Sequence, residues 1–279
     1  MSSTVSVIIP SFNRAHTLAR ALDSVIAQTH PVLEIIVIDD GSTDQTDELI
    51  ARDYPQCVCL RQSNRGVSAA RNRGISHARG EWLALLDSDD SWMPEKLEQQ
   101  FAALAASPGL RLCHTDEIWI RNGTRINPMR KHRKQGGQIF AQCLPLCVIS
   151  PSASLMHRSL FETYGLFDED LPACEDYDLW LRVCSREAVA FVEQPLVVKY
   201  GGHEDQLSRQ YWGMDRFRVR ALSKLLEARI LSAEDRQKTL QVLEQKCRIL
   251  IQGAEKRGAR ARADEYREML DLCQREGPA

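Results

Sequence analysis

Short β-branched runs alternate with stretches of helical period from Val5 to about Leu112, and no other feature of the chain narrows its fold as much. Apolar runs trading places with a 3.6-residue periodicity are the pattern of βαβ units around a parallel sheet. "VSVII" is the first run, followed by Leu18, Leu22, Val25 and Ile26 at a spacing that buries one helix face on the sheet. "EIIVID" is the second strand, and "DGSTDQTDELI" predicts a helix with Ser42 as N-cap and Gln45 three positions on, a capping-box pattern. "CVCL", "VSAARNRGISHA" and "WLALL" supply the third strand, the third helix and the fourth strand; "MPEKLEQQFAALAA" is helical again, with Pro94 near its first turn. In an open doubly wound sheet the carboxyl ends of parallel strands border the ligand crevice, so Asp39, Asp40, Asp87 and Asp89 are expected along one rim.

After Leu112 the pattern loosens into a mixed second half. "EIWIRNGTRI" reads as a hairpin at Asn122-Gly123, "NPMRKHRKQGG" as a basic solvated loop and "SASLMH" as a strand. "EDYDLWLRVC" starts a helix, and "FVEQPLVVKY" reads as paired strands around Pro195. Beyond about Gln210 the chain is rich in Arg, Lys, Glu and Leu and is expected to form a helical extension, 210–279. The expected class is α/β, a Rossmann-like and mostly parallel central sheet flanked by helices.

A 43% hydrophobic content over 279 residues excludes a disordered chain, and a net charge of −2 excludes a surface built for nucleic acid. Any phosphate recognition is therefore local. Nine cysteines without a C-x-x-C pair read as reduced and mostly buried. "MSSTVSVIIPSFNR" lacks the basic flank and apolar stretch of a signal peptide, and no segment reaches the ~20 apolar residues of a membrane span, so the cytoplasm is the expected location.

In "LLDSDDSWMP", Asp87, Asp89 and Asp90 follow an apolar run, and three carboxylates this close repel unless a cation sits among them. If the segment is extended, Asp87 and Asp89 project to one side. Hard divalent cations such as Mg²⁺ or Mn²⁺ suit such an all-oxygen strand end, with a diphosphate completing the shell. The plain alternative is that Asp87 to Ser91 cap the following helix, and the same applies to Glu175 and Asp178 in "CEDYDLW".

"VSVIIPSFNR", "VIDDGSTD", "GVSAARNRG", "LLDSDDSW" and "EDYDLWLR", in this order, closely resemble family two glycosyltransferases of the GT-A fold over roughly the first three quarters of the chain. The resemblance implies a glycosyltransferase domain over 1–209, with a nucleotide-binding half to about 112 and an acceptor half from 113. It implies inverting transfer from a nucleotide sugar, usually a uridine or thymidine one, to an acceptor hydroxyl. It implies Pro10 and Phe12 as a wall of the nucleotide pocket, Asp40 on the uracil edge, Arg71 facing the base, and Asp87 and Ser88 at the donor, Asp87 on its ribose side. Asp89 would hold the metal, helped by Asp90 through position or hydrogen bonding, and Asp176 would be the catalytic base, with Glu175 the neighbouring candidate. His203, after two glycines, is read as a contact to metal or phosphate, with a surface loop residue as the alternative, and Arg209 as a further phosphate contact.

One base without a matching acid is chemically sufficient, because a nucleoside diphosphate is already a good leaving group. Glycosidases need two carboxylates because theirs is poor. Arg130, Lys131, His132, Arg133 and Lys134 offer alternatives to plain solvation, closure over the donor or contact with an acidic acceptor such as a lipid phosphate or polysaccharide. The arginines of "EKRGARARADEYR" suit peripheral contact with an anionic membrane or a partner enzyme, against packing on the protein's own core. Two competing functions remain. A sugar nucleotidyltransferase needs a glycine-rich basic loop after the first strand, which "PSFNRAHT" lacks; a silent nucleotide-sugar-binding module is opposed by the intact acidic set.

Overall fold

A computed structural model of the chain describes residues 3–127, 129, 132–202 and 211–275, and one nine-stranded sheet organises them. Strands β1 (Val5–Ser11), β2 (Glu34–Asp39), β3 (Val58–Arg61) and β4 (Trp82–Leu85) lie in the order β3-β2-β1-β4, all parallel. Helices α1 (Ala15–Ile26), α2 (Thr46–Asp53) and α3 (Val67–His77) make the crossovers. Beyond β4 the sheet is mixed. β8 (Ser154–His157) runs antiparallel between β4 and β6 (Leu112–Arg121), β9 (Ala190–Gly201) is parallel to β6, and β5 (Ser91–Trp92) closes the edge antiparallel to β9. β7 (Thr124–Ile126) completes the expected hairpin, whose turn places Asn122 at φ 49° and Gly123 at φ 76°, as a two-residue turn matched to strand twist demands.

The strands alternate faces with period two. Ile8, Ile36, Ile38, Leu83 and Leu85 point into one apolar layer with α3, α7 (Glu175–Cys184) and the C-terminal helices α8 (Asp215–Glu227) and α9 (Ala233–Lys256). Val5, Val7, Ile9, Ile35, Val37 and Ala84 point into the other, against α1, α2 and α4 (Lys96–Ala106). Val219, Leu222, Leu243 and Cys247 of α8 and α9 share the first layer, so the tail, which ends in α10 (Arg260–Arg275), packs on the sheet side rather than trailing from it. Short helices α5 (Phe140–Cys143) and α6 (Ser159–Tyr164) fill the same layer. Six of the nine thiols are buried.

Three local expectations change. α2 starts at Thr46 with Gln45 at the cap position, so Ser42 caps nothing. Its hydroxyl instead accepts from Asn13 N at 2.9 Å, and Asp44 takes the cap role by accepting from Thr46 N at 3.1 Å. "FVEQPLVVKY" is one strand, not a pair, because Pro195 sits where the β6–β9 register shifts at a bulge and its missing N–H costs no ladder bond. Lys134 of the basic loop is not solvated; its buried ammonium lies 2.7 Å from Glu117 Oε1.

Candidate active site

The carboxyl ends of β1, β2 and β4 open into a cleft of about 690 Å³ at the point where the strand order turns back. β1 delivers Pro10 and Phe12 to its wall, and the Phe12 ring is 43% exposed there, a large apolar face left open in a polar cleft. β2 ends in two aspartates with different fates. Asp39, expected on the rim, is fully buried because its carboxylate builds the turn, accepting from Ser42 N at 2.8 Å. That turn needs Gly41 at φ +84°, where a Cβ would come within 2.9 Å of Asn64 N. Asp40 does line the cleft. Its Oδ1 accepts from Gln62 Nε2 at 2.7 Å and Arg65 N at 3.0 Å, and its Oδ2 from Gly66 N at 2.8 Å, which ties β2 to the start of α3.

α3 carries Arg71 beneath the cleft, with only 4% of its side chain exposed. Its Nη2 donates to Asp87 at 2.7 Å and its Nη1 to Glu175 at 2.6 Å. Burial works against its charge, yet Asp87 and Glu175 outweigh that and raise its pKa. The arginine expected to face the base is thus a bridge between the two halves of the cleft.

After β4 the chain does not stay extended. Asp90 N donates to Asp87 O at 3.0 Å, so Asp87 to Asp90 is a tight turn, and the expectation that alternation sets Asp87 and Asp89 on one side fails for that reason. The turn nonetheless brings Asp87, Ser88, Asp89 and Asp90 to the cleft. The capping alternative for this stretch also fails, since α4 begins only at Lys96. Asp90 is buried, accepting from Ser152 Oγ at 2.7 Å and Tyr200 N at 3.2 Å, and burial raises its pKa well above the usual range although Lys199 pulls it back. Asp89 is shifted upward too, first by burial and then by Asp87, against the pull of Arg14 and Lys199.

Across the cleft, α7 starts from Cys174 in a left-handed conformation, φ 63°, which brings Glu175 and Asp176 to the lining. Asp176 Oδ1 accepts from Tyr177 N at 2.7 Å and its Oδ2 from Cys147 Sγ at 3.2 Å. Glu175 is buried, and its pKa is pushed up to about 7 by burial and by Asp176, because Arg71 is shared with Asp87 and offsets only part of this. Asp178 faces away from the cleft and pairs with Arg182 and Lys224.

Lys199 was not singled out by motif reading, yet it is half-buried in the cleft lining. Burial opposes its charge, but Asp90, Glu117, Asp87 and Asp176 more than compensate and raise its pKa. Glu117 is in turn held down at about 2 against burial by Lys134 and Lys199. A lysine inside the apolar run "PLVVKY" was the available signal, since such a residue is buried only with carboxylate company. His203, Arg209, Arg130 and Lys131 lie outside the described residues.

Among the described residues no group of three or more His, Cys, Asp and Glu side chains gathers as a ready metal cage. The turn carboxylates Asp87 and Asp89 fit a hard cation that takes few protein ligands and fills its shell from phosphate and water, because they bring oxygen donors alone to the cleft.

Comparisons with known proteins agree with this fold. The model of the family described as glycosyl transferase family 2 matches residues 6–165. An uncharacterized glycosyltransferase of Rickettsia typhi is 33% identical over 211 residues, 74% of this chain and 66% of that protein. The chain spans 32% of the length of a related Rickettsia felis protein. WfgD of Escherichia coli, a UDP-Glc:alpha-D-GlcNAc-diphosphoundecaprenol beta-1,3-glucosyltransferase, is 29% identical over 181 residues, 64% of this chain and 69% of its own. The crystal structure of S. aureus TarS 1–349 in complex with UDP-GlcNAc superposes with a TM-score of 0.71, covering 98% of this chain and 92% of that one at 17% identity, a likeness of fold.

Proposed function

The chain belongs to glycosyl transferase family 2, and from that premise we propose that it transfers a sugar from a nucleoside-diphosphate sugar to an acceptor hydroxyl with inversion. The observation that carries this is the convergence of Asp40, of Asp87 and Asp89 from one turn, and of Asp176, three separate segments of the chain, on one cleft. A uridine donor is favoured by the relatives, WfgD by its name and TarS by its bound UDP-GlcNAc. Pro10 and Phe12 offer the base a wall, and Asp40 offers it an acceptor edge.

Asp89 would hold Mn²⁺ or Mg²⁺, with Asp87 on the ribose side of the donor, and the ion when bound would supply positive charge to the departing diphosphate. Lys199, half-buried beside the same carboxylates, adds a cation from the protein itself. Asp176 takes the proton of the acceptor hydroxyl, held in place by Cys147 and the Tyr177 amide. Attack then comes from the face of the sugar opposite the diphosphate. The acceptor in this reading is a glycan or a lipid-linked sugar of a bacterial-type surface glycan. The setting is the cytoplasm, at the inner face of the membrane; among the described residues no helix is long and apolar enough to cross it.

Calorimetry with UDP and Mn²⁺ tests the donor half directly. Binding is expected, and Asp89→Ala is expected to abolish most of it. Unchanged affinity in that variant would remove the metal assignment, and release of pyrophosphate from a nucleoside triphosphate and a sugar phosphate would replace the transferase with a nucleotidyltransferase.

A further inference from the structure

Trp212, just ahead of α8, leaves 48% of its surface exposed, and three guanidiniums converge on its ring. Arg216 of α8 lies 4.6 Å from the ring centroid, Arg262 of α10 5.0 Å and Arg257, at the end of α9, 5.7 Å. Like charges gathered on one indole repel, and the attraction of a ring face relieves this only in part.

The surrounding carboxylates do not help. Asp215 is taken by Arg218 and Lys246, and both Glu255 and Asp264 are taken by Arg267. Among the described residues no ion pair engages Arg216, Arg257 or Arg262, and the buried Nε of Arg216 has no hydrogen-bond partner. Arg257 and Arg262 are exposed, with Arg260 between them. The result is a compact set of unspent guanidinium donors around an amphipathic ring.

We propose that this patch binds the phosphate groups of an anionic phospholipid surface. Guanidiniums pair with phosphate oxygens through parallel hydrogen bonds, and an indole settles at the boundary between headgroups and acyl chains. A soluble phosphate would engage the arginines but leave the exposed ring without a partner, and this favours the lipid. The same segment reaches the cleft: Tyr211 and Met214 line it, and Tyr211 packs edge-on against Phe217 with centroids 5.4 Å apart. A seated patch would therefore hold the cleft mouth at the lipid surface. Only this last step, the presentation of a lipid-linked acceptor, rests on the proposed transferase reading; the binding itself does not.

Co-sedimentation of the full chain with vesicles tests it. Binding is expected to vesicles of phosphatidylglycerol mixed with phosphatidylcholine and not to phosphatidylcholine alone. Arg216→Gln, Arg257→Gln and Arg262→Gln are each expected to weaken it about five-fold, and Trp212→Ala to weaken it comparably, while Arg260→Gln changes it least. Equal binding to both vesicles, no binding, or unchanged binding of the four variants would overturn the proposal. Release by inorganic phosphate beyond that caused by chloride at equal ionic strength would assign the site to free phosphate instead. If a variant involving Arg216 or Trp212 fails to fold, the exposed Arg257→Gln and Arg262→Gln decide alone. UDP titration of the same variants keeps the two readings apart: loss of vesicle binding with intact UDP affinity supports the patch, and a wild-type chain that binds vesicles but not UDP leaves the patch standing while the donor reading falls.

Discussion

The guanidinium of Arg71 joins Asp87 to Glu175, two residues 88 positions apart, with bonds of 2.7 and 2.6 Å. It couples the turn after β4 to the start of α7, the donor side of the cleft to the proposed base side. Arg71→Gln leaves Glu175 buried and unpaired beside Asp176, and breaking a buried pair from one side costs roughly 3–5 kcal/mol. Urea denaturation should show a loss of that order together with weaker UDP binding. Arg71→Lys should recover part of the stability, since an ammonium reaches one carboxylate at a time but cannot fork between two. Full recovery by lysine would mean that charge alone, not the bridge, matters here.

Asp176 and Glu175 should separate cleanly in kinetics. Asp176 accepts from the Cys147 thiol and the Tyr177 amide and reaches the cleft half-exposed, whereas Glu175 spends its carboxylate on Arg71. Asp176→Asn should lower kcat by about 10² to 10⁴ with donor affinity unchanged, as expected for loss of a general base. Glu175→Gln should act mainly through stability and donor affinity. The reverse pattern would move the base one position along the helix.

The parallel half of the fold was legible because each crossover helix and strand announces itself locally, through apolar spacing and a turn. Asp40, Asp87 and Asp89 were legible for the same reason, since they follow strands, whereas Asp176, at the start of α7, was legible through the family resemblance. What failed was side-chain commitment. Asp39 and Asp40 are indistinguishable in "VIDDG"; both are buried, and only the turn at Gly41 decides that Asp39 builds the turn while Asp40 lines the cleft. The turn at Asp87–Asp90 depends on β5 pairing with β9, a contact more than a hundred residues away that no local pattern encodes. The Lys134 ammonium is buried because Glu117 comes from elsewhere in the chain to meet it, and Lys199 sits half-buried in the cleft under the influence of Asp90 and Glu117.

Lys96 gives the molecule a pH signature away from the cleft. Its ammonium is fully buried, 2.9 Å from Gln100 Oε1 and 4.0 Å from the Trp92 ring centroid, and burial lowers its pKa from 10.5 to about 7 despite an opposing pull from Cys113. Between these values the unfolded chain binds the proton that the folded chain does not, so stability linked to this group rises with pH from about 7 to 10.5. Lys96→Met removes the group. Denaturation of the two proteins across that range should show the variant gaining on the wild type by a few kcal/mol at pH 6 relative to pH 11, on top of a constant cost for the orphaned Gln100 oxygen. A difference independent of pH would place the Lys96 proton on the folded chain throughout.

Gly74 of α3 tests how tightly the helix that carries Arg71 is seated on the sheet. It is an ordinary helical position, where alanine would normally gain about 1 kcal/mol in propensity. Here a Cβ would fall 2.4 Å from Ile8 Cγ2 and 3.4 Å from Ile38 Cγ1, and both residues are buried in β1 and β2, with branched side chains that cannot swing aside. The helix must therefore lift from the strands, and overpacking of this kind costs about 1–3 kcal/mol, enough to cancel the propensity gain and leave Gly74→Ala destabilised. Ile8→Ala alone opens a cavity in the same place and should cost about 2–5 kcal/mol. The double variant places the new methyl where Ile8 was cut back, so its loss should fall below the sum of the two single losses by about 1 kcal/mol or more in a double-mutant cycle. Lifting α3 also moves Arg71, so Gly74→Ala should weaken UDP binding and the double variant should regain part of it. Strict additivity in stability would show that the helix can absorb the methyl without pressing on β1.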